Sequence, residues 1–162
     1  MTSLDILDAL VIFLQDALKD MLLPTKDETV LKAPTVYDGY LPPKQNRRRG
    51  EDDPEQEDYP FVIVRYLGEE DETFKENGMS FRILVGTYSK DEQRGWRDTL
   101  NVMNRIKFSL KEQQVIGNAN LTGKVESALF EEQMKPTWHG VMEVQFETPS
   151  VQWNGRVLGD DF

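Results

Sequence analysis

Between Tyr59 and Thr148 the hydrophobic period of the chain changes from two to 3.6 and back to two, an order that few folds accommodate. Phe61, Val62, Ile63, Val64, Arg65 and Tyr66 form a β-branched and aromatic run, apolar on both faces at first, which is the pattern of a strand buried between layers. From Met79 to Tyr88, Phe81, Ile83 and Val85 alternate with Ser80, Arg82 and Leu84, which predicts a second strand paired with the first as a hairpin. The link from Gly68 to Gly78 is charged and too long for a tight turn, so it should project beyond the sheet. Asp91 precedes a helix predicted over about Glu92 to Gln113. Trp96, Leu100, Met103, Ile106 and Leu110 make its apolar stripe, and Arg97, Asp98, Asn101, Arg105 and Lys111 fall off it. Leu121 to Phe130 carries further strand signal. Trp138 to Thr148 alternates again, with Met142, Val144 and Phe146 against Val141, Glu143, Gln145 and Glu147, until Pro149 ends it.

Upstream, Leu7, Leu10, Val11, Leu14, Leu18, Met21 and Leu22 recur on one helical face, predicting a helix from the cap Ser3 to about Leu22, with Pro24 as its stop. Ile6, Ile12 and Phe13 widen its apolar surface, so it should be covered on more than one side. Thr25 to Asp58 reads as irregular apart from a short strand at Thr35 to Tyr40; the part from Pro43 to Asp58 is expected to be mobile, and Asn154 to Phe162 to be an exposed tail. A chain of 162 residues suits one domain. The element order predicts an α+β fold: a mainly antiparallel sheet of four to five strands with two main helices packed on one face.

Charge narrows the function. Glu51 to Glu76 holds eleven acids against Arg65 and Lys75, a net −9 of the chain's −10, leaving −1 for the rest. Such a chain is a poor candidate for sequence-independent DNA binding, which needs clustered Lys and Arg on a docking face. Arg47, Arg48 and Arg49 form one dense basic cluster, followed at once by Glu51, Asp52, Asp53, Glu55, Glu57 and Asp58. These opposed blocks read as a self-neutralising surface loop or a partner-binding loop. With no cysteine, thiolate chemistry and disulfides are excluded. No apolar stretch is both long and uninterrupted enough to span a bilayer, and no secretory signal is expected.

The search for catalytic chemistry returns little. His139 is the single histidine, so histidine triads and multi-histidine metal sites are excluded within one chain, and it is expected to be structural or exposed. No Gly-rich phosphate loop is present. Asp58, Glu69, Asp71 and Glu131 are the acids from which a hard-metal nuclease site would be drawn, but the run Glu69, Glu70, Asp71, Glu72 reads as a solvated turn. Trp96 is expected in the core, Trp138 in core, rim or interface, and Trp153 at a subunit contact. The expectation is a structural protein without catalytic residue, metal or cofactor.

Four segments carry a resemblance to a known family: PFVIVRY from Pro60, FRILVGTYSKD from Phe81, GWRDTLNVMNRI from Gly95 and LFEEQMKPTWHGVM from Leu129. Over about Tyr59 to Val151, with a leading helix like Leu4 to Leu22, the chain resembles the tail-terminator (tail-completion) proteins of long-tailed bacteriophages and prophages. The Arg47 to Asp58 loop has no counterpart in that pattern. The resemblance implies a small α+β protomer in a homo-hexameric ring that stacks on the last ring of tail-tube protein. There it stops polymerisation and offers a surface to the head-tail connector or stopper protein, and to the sheath if the tail is contractile. It implies residence in the virion tail at the neck, after assembly in the host cytoplasm, with DNA passing through the lumen and no membrane or sequence-specific nucleic-acid contact. Candidate interface residues are Arg47, Arg48, Arg49, Glu69, Glu70, Asp71, Lys90, Asp91, Arg94 and Trp153. The links Glu69 to Glu76 and Lys90 to Arg94 are expected near one ring face, and the Arg47 to Asp58 loop at the lumen or a ring face. A head-completion or neck protein is the alternative, followed by a metal-dependent nuclease and a host-directed binding protein.

Overall fold

The computed structural model describes residues 1–27, 29–43 and 58–149. Arg47, Arg48, Arg49 and Trp153, most of the loop expected to be mobile and the whole expected tail lie outside the described residues.

The first helix, α1 (Ser3–Leu18), starts at Thr2 rather than at a Ser3 cap. Thr2 Oγ1 accepts the Asp5 N–H at 3.2 Å while Asp5 Oδ2 accepts the Thr2 N–H at 2.8 Å, a reciprocal capping box. Ile6, Leu7, Leu10, Leu14 and Leu18 form its buried face, whereas Ile12 is 70% exposed. The helix stops four residues short of Leu22, because two short strands, β1 (Leu23–Pro24) and β2 (Leu31–Lys32), pair antiparallel just beyond it.

Among the described residues the main sheet has six strands, more than the four to five expected. They are β3 (Thr35–Asp38), β4 (Phe61–Glu70), β5 (Asn77–Tyr88), β6 (Val115–Ile116), β7 (Ala119–Leu129) and β8 (Thr137–Thr148), in the order β3-β4-β5-β8-β7-β6. Among the described residues only β3 and β4 run parallel, and the other pairs are antiparallel. The short strand expected at Thr35 to Tyr40 is β3; the extra strand is β6, whose two residues are too few for a period to register. The β4–β5 hairpin is as expected, but both strands run further out, leaving Asp71 to Glu76 as the link.

The second helix, α2 (Trp96–Gln113), begins after the expected Glu92, because a turn at 92–95 precedes it. Thr99, Val102, Met103, Ile106 and Leu110 are its buried residues. Trp96 is only partly buried, contrary to expectation, with its Nε1 donating to the Gln93 carbonyl at 3.0 Å. Trp138 takes the core position instead: it lies across from Thr87 on the helix side of the sheet, and its Nε1 donates to the Ser89 carbonyl.

One core unites the helices with one face of the sheet. Val62, Val64, Phe81, Ile83, Met142, Val144 and Phe146 meet Ile6, Leu10, Leu14, Met103 and Ile106. Each such fully buried side chain contributes about 1.5–3 kcal/mol relative to exposure. Gly140 lets α2 approach, since a Cβ there would overlap the Met103 sulfur. The sheet curls: α1 touches β3 and β4 at one rim and β6 at the other, with Met1 and Ile6 against the β6–β7 turn at Gly117. Among the described residues, no helix is long and apolar enough to cross a membrane.

Candidate functional site

The face of the sheet turned away from the helices is zoned along the strands. Its middle is a charged row set by register: Arg65 on β4 pairs with Arg82 on β5, Arg82 with Glu143 on β8, and Glu143 with Glu126 on β7. Like charges sit opposite each other at both ends of this row, an arrangement that costs stability unless other partners intervene. Arg82 Nη2 binds Glu143 Oε2 at 2.8 Å. Arg65 is drawn aside, its Nε donating to the Gly39 carbonyl at 2.9 Å and its guanidinium stacking 4.1 Å over the Tyr40 ring. Glu126 faces Lys124 at 3.7 Å.

Toward the β4–β5 tip this face becomes acidic. Glu70, Glu72, Glu76, Glu143 and Glu147 line a cleft of about 640 Å³ together with Lys75, Ser80, Thr122 and Gln145. Hydrogen bonding between the Glu76 and Glu147 carboxyls raises the Glu147 pKa above its ordinary value, because one must hold the proton for the pair to bond. Glu69 has a different task. It accepts from Asn77 Nδ2 at 2.8 Å and from the Tyr66 hydroxyl at 2.9 Å, so it ties the two strands together and its pKa is lowered by those bonds.

Beyond Glu69 the link closes with a turn in which the Lys75 N–H donates to the Glu72 carbonyl at 3.0 Å. Phe74 occupies the turn with φ of 67° and is 76% exposed. That backbone region favours glycine, and a side chain there costs on the order of 1–2 kcal/mol. Sequence reasoning passed over Phe74. The available signal was an aromatic residue inside an acidic run where a turn-forming Gly or Asn would be expected.

The other end of the sheet is aromatic. His139 on β8 lies across from Gly86 on β5, and the missing Cβ at Gly86 leaves room for the rings of Phe61 and Tyr59. The imidazole Nε2 and the Tyr59 hydroxyl are hydrogen-bonded, and the Phe130 ring stacks on the imidazole at 5.7 Å between centroids. Burial among these rings pushes the His139 pKa below its ordinary value, because the charged form loses solvent. Asp58, placed in the expected mobile loop, is instead buried just ahead of Tyr59.

Lys90, Asp91 and Arg94 follow the end of β5 that lies opposite the tip, so the structure does not bring them to Glu69, Glu70 and Asp71. Twelve residues of β5 separate the two groups, on the order of 36 Å. Asp91 acts locally: its Oδ1 accepts the N–H groups of Gln93 and Arg94, each at 3.0 Å, and holds the turn that feeds α2. Arg94 is exposed beside it.

The outward side of α2 is the basic counterpart in this acidic chain. Arg97, Asn101, Arg105, Phe108 and Lys111 are exposed at helical spacing, and the Lys107 Nζ lies 5.1 Å over the ring of Phe108, itself 63% exposed. Asp98, half-buried on the same helix, has its pKa raised by burial.

Among the described residues no group of three His, Asp or Glu side chains is placed to hold a metal ion. Glu69 and Asp71 sit at the tip, whereas Asp58 precedes β4 and Glu131 follows β7, both at the other end of the sheet. Set against known proteins, the chain matches no family model and no curated sequence.

Proposed function

We propose that this chain is a structural tail-terminator protein, whose copies form a ring on the head-proximal end of a phage tail tube, stop its growth and present a joint to the head connector. The long strands β4, β5, β8 and β7, with β3 at one rim, serve as its scaffold, and the two helices cover one side. One observation supports the reading above the sequence resemblance: the protomer is chemically unlike at its two ends. The projecting hairpin is acidic, with six-residue link and cleft together carrying Glu70, Asp71, Glu72, Glu76 and Glu147, while the opposite end presents turns of mixed charge, Lys90, Arg94 and Lys135 with Asp91, Glu92, Glu131 and Glu132, beside the exposed Phe130 and Met134. A ring of identical copies then has two unlike rims, as a part must that meets a tube on one side and a connector on the other.

The test is electron microscopy of particles made with and without this gene, together with binding of the purified chain to isolated tubes. Overlong or uncapped tails in its absence, and a ring of the chain on tube ends, are expected. Uniform tails that join capsids without it overturn the reading, and capture by the portal complex in place of the tube favours the head-completion alternative.

A further inference from the structure

Phe74 sits in a left-handed turn that costs stability, and its ring gains no burial in return within the described chain, with 76% of the residue exposed. It is flanked by Glu70, Asp71, Glu72 and Glu76 against the single Lys75. An exposed aromatic ring inside a one-signed charged apron is the layout of an anchor whose approach is steered by charge. The complement it requires is a basic surface with an apolar centre. The outward side of α2 is predominantly basic, with Arg97, Arg105, Lys107 and Lys111 around the exposed Phe108 against the exposed Glu112, and Arg105 Nη1 also donates to the Ala17 carbonyl at 3.3 Å.

We infer that the hairpin tip of one copy docks on the outward face of α2 of the next copy, with Phe74 packed beside Phe108 and the tip acids facing Arg105 and Lys111. The two halves are different patches of one chain, so the contact is heterologous and propagates head to tail, closing into a ring if the rotation per copy allows. The inference names the lateral contact of the ring proposed above and rests on that reading for closure alone. Relief of the exposed ring compensates for the strained turn, which explains why a phenylalanine stands where glycine would be more stable in an isolated copy.

The chain has no cysteine, which makes the contact readable by disulfide trapping. Thr73→Cys and Asn104→Cys place one thiol beside each anchor and leave both anchors in place. Mixed and oxidised, the two variants should form a crosslinked pair at least about fivefold faster than either alone, and Phe74→Ala should remove that excess. Reversing Arg105 and Lys111 to Glu should also remove it, and Glu70→Lys with Glu72→Lys in the partner should restore it. Phe74→Gly separates anchoring from folding: the isolated chain should become more stable to denaturant while trapping is lost. Equal trapping in self-mixtures, or trapping unaffected by Phe74→Ala, overturns the contact. Rings on tubes without this trapping leave the terminator reading standing and remove the contact; trapping with normal tail lengths in the absence of the gene does the reverse.

Discussion

Gln133 holds the backbone of His139 from both sides: its Oε1 accepts the His139 N–H at 2.7 Å and its Nε2 donates to the His139 carbonyl at 2.9 Å. A side-chain amide here occupies the place a neighbouring strand would take, just past the end of β7, where Phe130 N–H also reaches the His139 carbonyl at 3.0 Å. Gln133→Ala leaves the His139 N–H without this partner in a part-buried site and should cost about 1–2 kcal/mol, read as a lower denaturant midpoint at unchanged slope. An unchanged midpoint would show that solvent replaces the amide at no cost.

The imidazole itself makes stability depend on pH. Because its folded pKa lies below the unfolded value of about 6.5, the unfolded chain binds the proton more readily, and stability is fully present above that value. It should fall as pH drops through 6.5 toward the folded pKa. Urea unfolding at about pH 7.5 and 5.5 should show a loss in the parent chain that is smaller in His139→Gln. Glu147 works in the opposite sense, since its pKa is raised in the fold, but it is common to both chains and cancels in the comparison.

Gly140 sets the spacing of helix and sheet. A methyl group added there meets the Met103 sulfur and the Thr99 methyl, so Gly140→Ala should lower stability by about 1–3 kcal/mol, visible as a drop in melting temperature. In a Met103→Ala background the same Gly140→Ala change should cost less than in the parent, because the contested space is vacated.

At the start of α1, Thr2→Ala removes one half of the capping box and should cost about 1 kcal/mol. Thr2→Ser should be close to neutral in the same denaturation measurement. An alanine variant as stable as the parent would mean that water caps the helix equally well.

Much of this architecture is legible from side-chain periodicity, and the failures have physical causes. The alternation of Phe81, Ile83 and Val85, and of Met142, Val144 and Phe146, does locate the two central strands and the face they bury. Trp96 misleads because the buried side of α2 is centred on Thr99, Val102, Met103, Ile106 and Leu110, continued by Gly95 against Trp138, so that Trp96 stands at its border; small residues at the first turn carry no hydrophobic signal to mark that side. Trp138 is buried for the converse reason, lying under Gly95 and beside Thr87. The tip acids are found by composition, but neither the Glu69 clamp nor the φ of Phe74 has a periodic signature. The separation of Lys90 to Arg94 from the tip follows from strand length alone once the first and last residues of β5 are known.

The curl of the sheet around α1 has a mechanical outcome. Both rims lean on the same few residues, Ser3 toward Tyr66 and Glu69 on β4, and Met1 and Ile6 toward Gly117 between β6 and β7. The first turn of the helix is therefore a clasp between the two rims of the sheet. A force or a deletion that pulls it out releases two seams in one step, so the rims should gain and lose protection from hydrogen exchange together.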